Sequence, residues 1–338
     1  PVYVIDEVDF RGRALSWKRA FDGWTVYYAA KSFLCGTVAR WIHEEGLSLD
    51  VSSHGELLVA LRAGFDPAKI ALHGNNKSDE VLRLALTAGV GHIVVDSSDE
   101  IGRLERLTAE LGLRATVLIR VTTGVEAHTH EYIATAHEDQ KFGLSITGGQ
   151  ALVAMVRCFH SPNIDVVGIH SHIGSQIFDT NGFEVAARRT LKLMSQFREA
   201  TGVMLSELDL GGGFGIAYTE DDSPSTADDL ARGLKEIVAH ECRAFGLDVP
   251  NLSVEPGRAI SGPSGTAMYT VGTTKTVELG GGQSRRYISV DGGMSDNIRP
   301  ALYAAEYSAV LASRCRAQPR SSGSCRVQAR VRHAGLVH

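Results

Sequence analysis

Trp24-Thr-Val-Tyr-Tyr28-Ala29-Ala30-Lys31 is an apolar run rich in aromatic and β-branched residues that ends on a lysine. Such a run favours an extended strand, so Lys31 stands just past a strand end. A lone lysine there is ordinarily solvated, and its meaning depends on what the other strand ends carry. Apolar segments of the same kind recur at 47–51, 69–73, 91–95, 115–121, 164–170, 205–210 and 251–255. Helical patterns lie between them at 36–45, 56–63, 79–88, 99–111, 182–200 and 227–245. Strands alternating with helices argue for a parallel sheet covered by helices. Eight such strands suggest closure into a (β/α)8 TIM barrel; an open doubly wound sheet is the alternative arrangement of the same elements.

The barrel is expected over 22–262. Segments 1–5, 266–275 and 285–290 read as strands of a second, β-rich domain built from both chain ends, with contributions from 1–21 and a partial C-terminal part at 263–313. Residues 314–338 hold six arginines and no acidic residue, and read as a basic aberrant or disordered tail, the mark of a truncated or frame-shifted end. The 338 residues are 43% hydrophobic, enough for a sizeable core. A formal net charge of -5 gives no basic face for nucleic acid. No apolar run reaches transmembrane length and no secretory signal opens the chain, so no membrane partner is expected. Five scattered cysteines without a Cys-x-x-Cys pair fit a reducing, cytoplasmic compartment. Cys35, at an apolar helical start, reads as core.

Other strand ends carry chemistry as well. Gly211-Gly212-Gly213 follows Leu208-Asp-Leu210, and glycines let backbone amides approach an anion. Glu255-Pro256-Gly257-Arg258 puts a carboxylate and a guanidinium at the end of the last strand. His170 and His172 flank Ser171, with Ser175 close behind, and the spacing suits a flat imidazole against a ring better than a metal. Asp50 and His73 end two early strands and read as supporting groups. His128, His130 and His137 lie in a long loop after the fifth strand, which reads as a substrate cover rather than a zinc site. Arg299 and Tyr303 follow a Gly-Gly turn, and an arginine fork suits a carboxylate. An amine, a ring, an anion cradle and a carboxylate at one barrel end suit an aldehyde cofactor carrying a phosphate, with no metal.

Taken in order, Tyr28-Ala-Ala-Lys31, Leu72-His-Gly-Asn-Asn-Lys77, His170-Ser-His-Ile-Gly-Ser-Gln176, Gly211-Gly-Gly213, Glu255-Pro-Gly-Arg258 and Asp291-Gly-Gly-Met-Ser-Asp-Asn-Ile-Arg-Pro-Ala-Leu-Tyr303 resemble the fold type III pyridoxal phosphate-dependent decarboxylases. Within that class the resemblance, over residues 1–313, is to the diaminopimelate decarboxylase family of the actinobacterial kind. It implies pyridoxal 5'-phosphate as cofactor and conversion of meso-2,6-diaminopimelate to L-lysine and carbon dioxide, a step of lysine biosynthesis. It also implies a homodimer with shared sites. By the same resemblance Lys31 is the covalent anchor of the cofactor aldehyde and His172 stacks on its ring. Asp50, His73, Ser175, Gly211, Gly212, Gly213, Glu255, Pro256, Gly257 and Arg258 surround the cofactor, and Arg258, Arg299 and Tyr303 bind the distal end of the amino-acid substrate. The family's Cys-Glu-Ser-Gly-Asp-like segment, implied to bring a proton donor from the partner subunit, has no match at Cys315 or Cys325. A related decarboxylase of ornithine or arginine, and a cofactor-binding protein without turnover, are the alternatives.

Overall fold

The computed structural model describes residues 1–125, 141–303, 305, 307–312, 327–328 and 336–337. The expected cover loop histidines and nearly all of the basic tail lie outside the described residues. The chain divides into a larger unit, Glu7–Ile216 with Pro224–Ser264, and a smaller one, Pro1–Asp6 with Ala217–Ser223 and Gly265–His338.

In chain order the elements are β1 (Val2–Ile5), α1 (Glu7–Ala20), β2 (Thr25–Ala29), α2 (Gly36–Glu44), β3 (Ser48–Val51), α3 (His54–Arg62), β4 (Ile70–Leu72), α4 (Asp79–Ala88), β5 (His92–Val95) and α5 (Ser98–Leu111). They continue with β6 (Ala115–Thr122), β7 (Leu144–Ser145), α6 (Gln150–His160), β8 (Ile164–Ser171), α7 (Asn181–Thr201), β9 (Glu207–Asp209), α8 (Ala227–Phe245), β10 (Asn251–Val254) and α9 (Arg258–Ser264). The smaller unit adds β11 (Gly265–Met268), β12 (Val271–Gly280), β13 (Gln283–Val290) and α10 (Arg299–Tyr303).

Eight strands close a parallel ring in the order β2-β3-β4-β5-β6-β8-β9-β10 and back to β2. Closure is the TIM barrel expected from the eight apolar runs. The short β7 adds to the edge of β6. Tyr27, Ala71, Val94 and Leu118 form a buried apolar cluster contributed by four of the strands. Where β8 and β9 come close, a Cβ on Gly168 would lie 2.2 Å from the Glu207 carbonyl, so only glycine fits.

Four of the helices that follow strands, α3, α4, α5 and α8, begin where a hydroxyl caps them. The Ser53, Ser78, Ser97 and Thr226 hydroxyls accept hydrogen bonds from the Glu56, Val81, Glu100 and Asp229 amides. Glycines in the left-handed region end α4, α5, α7 and α8. The helix pattern left α1 and α6 unread, with the short α9 and α10.

The first of these corrects the expected boundary at residue 21. Phe10, Ala14 and Trp17 on α1 are buried, and Trp17 stacks on Phe21 at 5.4 Å and lies 4.7 Å from Phe214. Burying three aromatic rings outweighs continuity with β1, so Glu7 onward belongs to the barrel unit and only Pro1–Asp6 joins the smaller one. Within the smaller unit β1 pairs antiparallel with β11, and β12 with β13. The run expected as one strand at 266–275 is two, β11 and β12. Cys35 is exposed at the N-cap of α2 rather than buried, because a residue outside the first helical turn is not yet on the apolar face.

Candidate active site

Lys31 follows β2 in a single tight turn, Ala30–Ser32. Its side chain is 56% exposed, and its Nζ lies 3.9 Å from Oδ2 of Asp50, which ends β3 and is itself buried. An amine that is open to solvent on one side and anchored by a buried carboxylate on the other can be reached by a carbonyl compound while keeping its direction.

Glu255 follows the end of β10, the strand paired with β2. Its Oε1 is 2.9 Å from Nε2 of His73, and its Oε2 is 3.3 Å from Nε2 of His170. The two imidazoles meet edge to face at 4.8 Å. Burial pushes the Glu255 carboxyl up, but His73 and His170 outweigh it and hold it well below the usual carboxylate range. Burial pushes His170 down to about 4. Asp209, at the end of β9, is raised well above its usual value by burial and by Glu255, although the Gly211 amide donates to its Oδ1 at 2.7 Å.

The Glu255-Pro256-Gly257 turn is sewn to the strand that leads to Lys31: the Ala29 amide donates to the Pro256 carbonyl at 3.2 Å. A Cβ on Gly257 would come within 2.9 Å of the Ala29 Cβ. The glycine run is equally tight. A Cβ would lie 2.3 Å from the Ser171 carbonyl at Gly211, 2.2 Å from the Glu255 carbonyl at Gly212 and 2.3 Å from the Gly174 carbonyl at Gly213. Gly211 and Gly213 also have positive φ. Side-chain-free backbone is therefore forced to the mouth; the Gly211 and Gly212 amides donate to Asp209 Oδ1 and His172 Nδ1, so the Gly213 amide is the donor this run can offer an anion.

The Gly212 amide donates to Nδ1 of His172 at 3.4 Å, which leaves the ring proton on Nε2. Burial drives His172 down to about 3, with the Lys31 charge next, so its ring is neutral. Ser175 is exposed in the loop after β8. Gln176 beside it is the one non-glycine residue with positive φ among the described residues. Its amide repays that strain by clasping the glycine loop, donating to the Ile216 carbonyl and accepting from the Ile216 amide, both at 3.0 Å.

Lys31, Asp50, His73, His172, Gly211, Gly212, Gly213, Glu255, Pro256, Gly257 and Arg258 thus lie at the strand ends of the barrel unit, Arg258 as the first residue of α9. Arg299 lies in the smaller unit, where its Nε donates to the Tyr307 hydroxyl at 3.1 Å and its guanidinium is 5.9 Å from the Tyr218 ring. The Tyr303 side chain lies outside the described residues. Reasoning from sequence weighed His170 beside His172 and preferred His172, and it gave no role to Asp209 or Gln176; Asp209 sits on a recognised strand, and strand alternation was the signal that could have turned it inward.

The site also fits pyridoxal phosphate. It has an amine, a glycine cradle that no side chain could occupy, and a buried ionised acid. Asp50 Oδ2 and Asp209 Oδ2 are buried without a hydrogen bond among the described residues. The barrel and its mouth define a pyridoxal-dependent decarboxylase: residues 7–262 match the family model described as the pyridoxal-binding domain of pyridoxal-dependent decarboxylases. The chain is 55% identical over 329 residues to diaminopimelate decarboxylase of Mycobacterium leprae, covering 96% of this chain and 70% of the relative. It is 47% identical over 318 residues to that of Bacillus subtilis, covering 93% and 72%. The crystal structure of diaminopimelate decarboxylase from M. jannaschii superposes with a TM-score of 0.83 at 30% identity, covering 91% of this chain and 71% of that one. The chain belongs to the diaminopimelate decarboxylase family.

Proposed function

We propose that this protein removes the carboxylate at the D-configured carbon of meso-2,6-diaminopimelate to give L-lysine and carbon dioxide. The observation that carries the reading is Lys31, held beside the buried Asp50, at the same strand ends as Glu255, held low by His73 and His170, on a chain closely similar to diaminopimelate decarboxylases. When bound, pyridoxal phosphate supplies the sink for the electron pair left as carbon dioxide departs.

The chain's own residues do the rest. Lys31 anchors the cofactor through its amine and yields that position to the substrate amine. Glu255 holds a proton at the ring nitrogen, because an ionised carboxylate favours the protonated partner. His172 lays a neutral ring against the cofactor and adds no competing charge. The side-chain-free backbone of Gly211–Gly213, with the Gly213 amide as its donor, and Gly257, Ser175 and Arg258 hold the phosphate. Asp50 and His73 steady Lys31 and Glu255. Arg258, Arg299 and Tyr303 take the distal end of the substrate; for Arg299 and Tyr303 this role rests on the family resemblance alone. The protein acts as a homodimer with shared sites in the reducing cytoplasm. Resemblance supports the dimer, and the buried, unreactive thiols of Cys158 and Cys242 support the compartment.

The test is carbon dioxide release from diaminopimelate, ornithine, arginine and lysine at matched concentrations. Turnover is expected with diaminopimelate, and Arg299→Lys should raise KM about tenfold or more by losing the bidentate fork. The solved lysine/ornithine decarboxylase of Vibrio vulnificus, with a TM-score of 0.75 at 25% identity, marks the rival. Release from ornithine or lysine in preference to diaminopimelate would replace the proposal with that reading.

A further inference from the structure

Three acids share the barrel mouth. Asp50, Asp209 and Glu255 are each at most 3% exposed, and low dielectric with mutual repulsion opposes three charges at once. Their partners differ. Glu255 has an imidazole at each oxygen, His73 at 2.9 Å and His170 at 3.3 Å. Asp50 has His73 at 3.7 Å and Lys31 at 3.9 Å. Asp209 takes the Gly211 amide on Oδ1 and has the Ser253 side chain as a further neutral donor, with no ion pair among the described residues; its Oδ2, like Glu255 Oε1, is buried without a hydrogen bond there. An acid placed like Asp209 is best accommodated with its proton on.

We propose that His73 and His170 are positioning residues that assign the negative charge of this trio to Glu255 and leave Asp209 protonated. The carboxylate available to a bound ring nitrogen is then charged because two imidazoles hold it, not by its own acidity. Each ring sets its Nε2 against one carboxylate oxygen, with the closer approach from His73 and the hydrogen bond from His170. The shifts run the same way: Glu255 is held low by the two imidazoles against burial, and Asp209 is raised by burial and by Glu255. The other titratable groups coupled to Glu255 are Tyr27, Asp50 and His172. Lys31 and Arg120 act on its partners rather than on Glu255 itself.

The role given to the ring nitrogen rests on the function proposed above; the charge assignment does not. The two are separated by infrared spectroscopy of the full chain at pH 7, with and without cofactor. The unsubstituted protein should show a buried carboxylic-acid band that Asp209→Asn removes and Glu255→Gln keeps. His73→Gln and His170→Gln should each add a second such band, removed in turn by Glu255→Gln and persisting about one pH unit higher than Glu255 protonates in the unsubstituted protein. In the loaded protein, the same variants should move the visible-band titration of the cofactor to lower pH. His73→Gln, at the outer end of its strand, carries the test if His170→Gln does not fold. A band lost in Glu255→Gln and kept in Asp209→Asn, or no new band in His73→Gln, overturns the proposal. Infrared changes without a change in the visible titration would keep the charge assignment and sink the ring-nitrogen role.

Discussion

A residue in this mouth is defined by its partners more than by its type. Lys31 and Lys77 are both lysines near strand ends. Lys31 is open to solvent beside one carboxylate, whereas Lys77 is buried and wholly consumed. Its Nζ lies 2.7 Å from Oε1 of Glu100 and donates to the Gly74 and Val94 carbonyls at 2.6 and 2.8 Å. The Glu100 carboxylate in turn accepts from the Asp96 amide at 3.0 Å. Lys31→Ala should abolish the cofactor adduct fixed by borohydride, read by intact mass, while leaving the urea midpoint nearly unchanged, since a half-exposed side chain contributes little to stability. Lys77→Met should do the reverse. It strands a buried charge on Glu100 and should cost about 3–5 kcal/mol in urea unfolding. Adding Glu100→Leu should recover most of that loss, because two apolar residues in place of a buried pair are often neutral.

The loops that follow β8, β9 and β10 form one construction among the elements. Gly212 passes under the Glu255 carbonyl, the Glu255 amide donates to the Gly211 carbonyl at 2.9 Å, and Gln176 clasps Ile216 on the far side. Gly212→Ala would push a methyl into the Glu255 carbonyl and should shift both loops. Overpacking of this kind costs about 1–3 kcal/mol, so cofactor affinity, followed by fluorescence titration, should fall about tenfold or more. The close backbone approach that the glycine run permits was legible in the sequence. Its dependence on the Glu255 carbonyl was not, since the two are distant in sequence and meet only through the pairing of β9 with β10.

The whole molecule draws its smaller unit from both chain ends: Val2–Ile5 pairs with Gly265–Met268. Deleting residues 1–6 removes every partner that β1 gives β11 and none of the barrel strands. Limited proteolysis of that deletion should therefore cut faster after residue 264 and leave a resistant fragment from about 7 to 264, seen by mass spectrometry. Cuts spread evenly through the barrel would show that its stability depends on those six residues. Among the described residues no helix is long and apolar enough to cross a membrane.

Local pattern determined the eight strands, the helices of strong period, Lys31, the glycine run and Glu255, because each is written in consecutive residues: apolar runs, caps, and turn residues at strand ends. It missed α1, whose face is less cleanly apolar, the short α9 and α10, and also α6, whose apolar period is as clear as that of helices it found, and it drew the first boundary too far along, because the pull of Phe10 and Trp17 into the barrel is a packing effect with no local mark. Tertiary structure alone decided which buried acid keeps its charge. Asp50, Asp209 and Glu255 are all acids, and only closure of the ring brings His73 and His170 to one of them and the neutral Gly211 amide and Ser253 side chain to another. The strength of a buried charge depends on distance and desolvation, and neither exists until the strands have met.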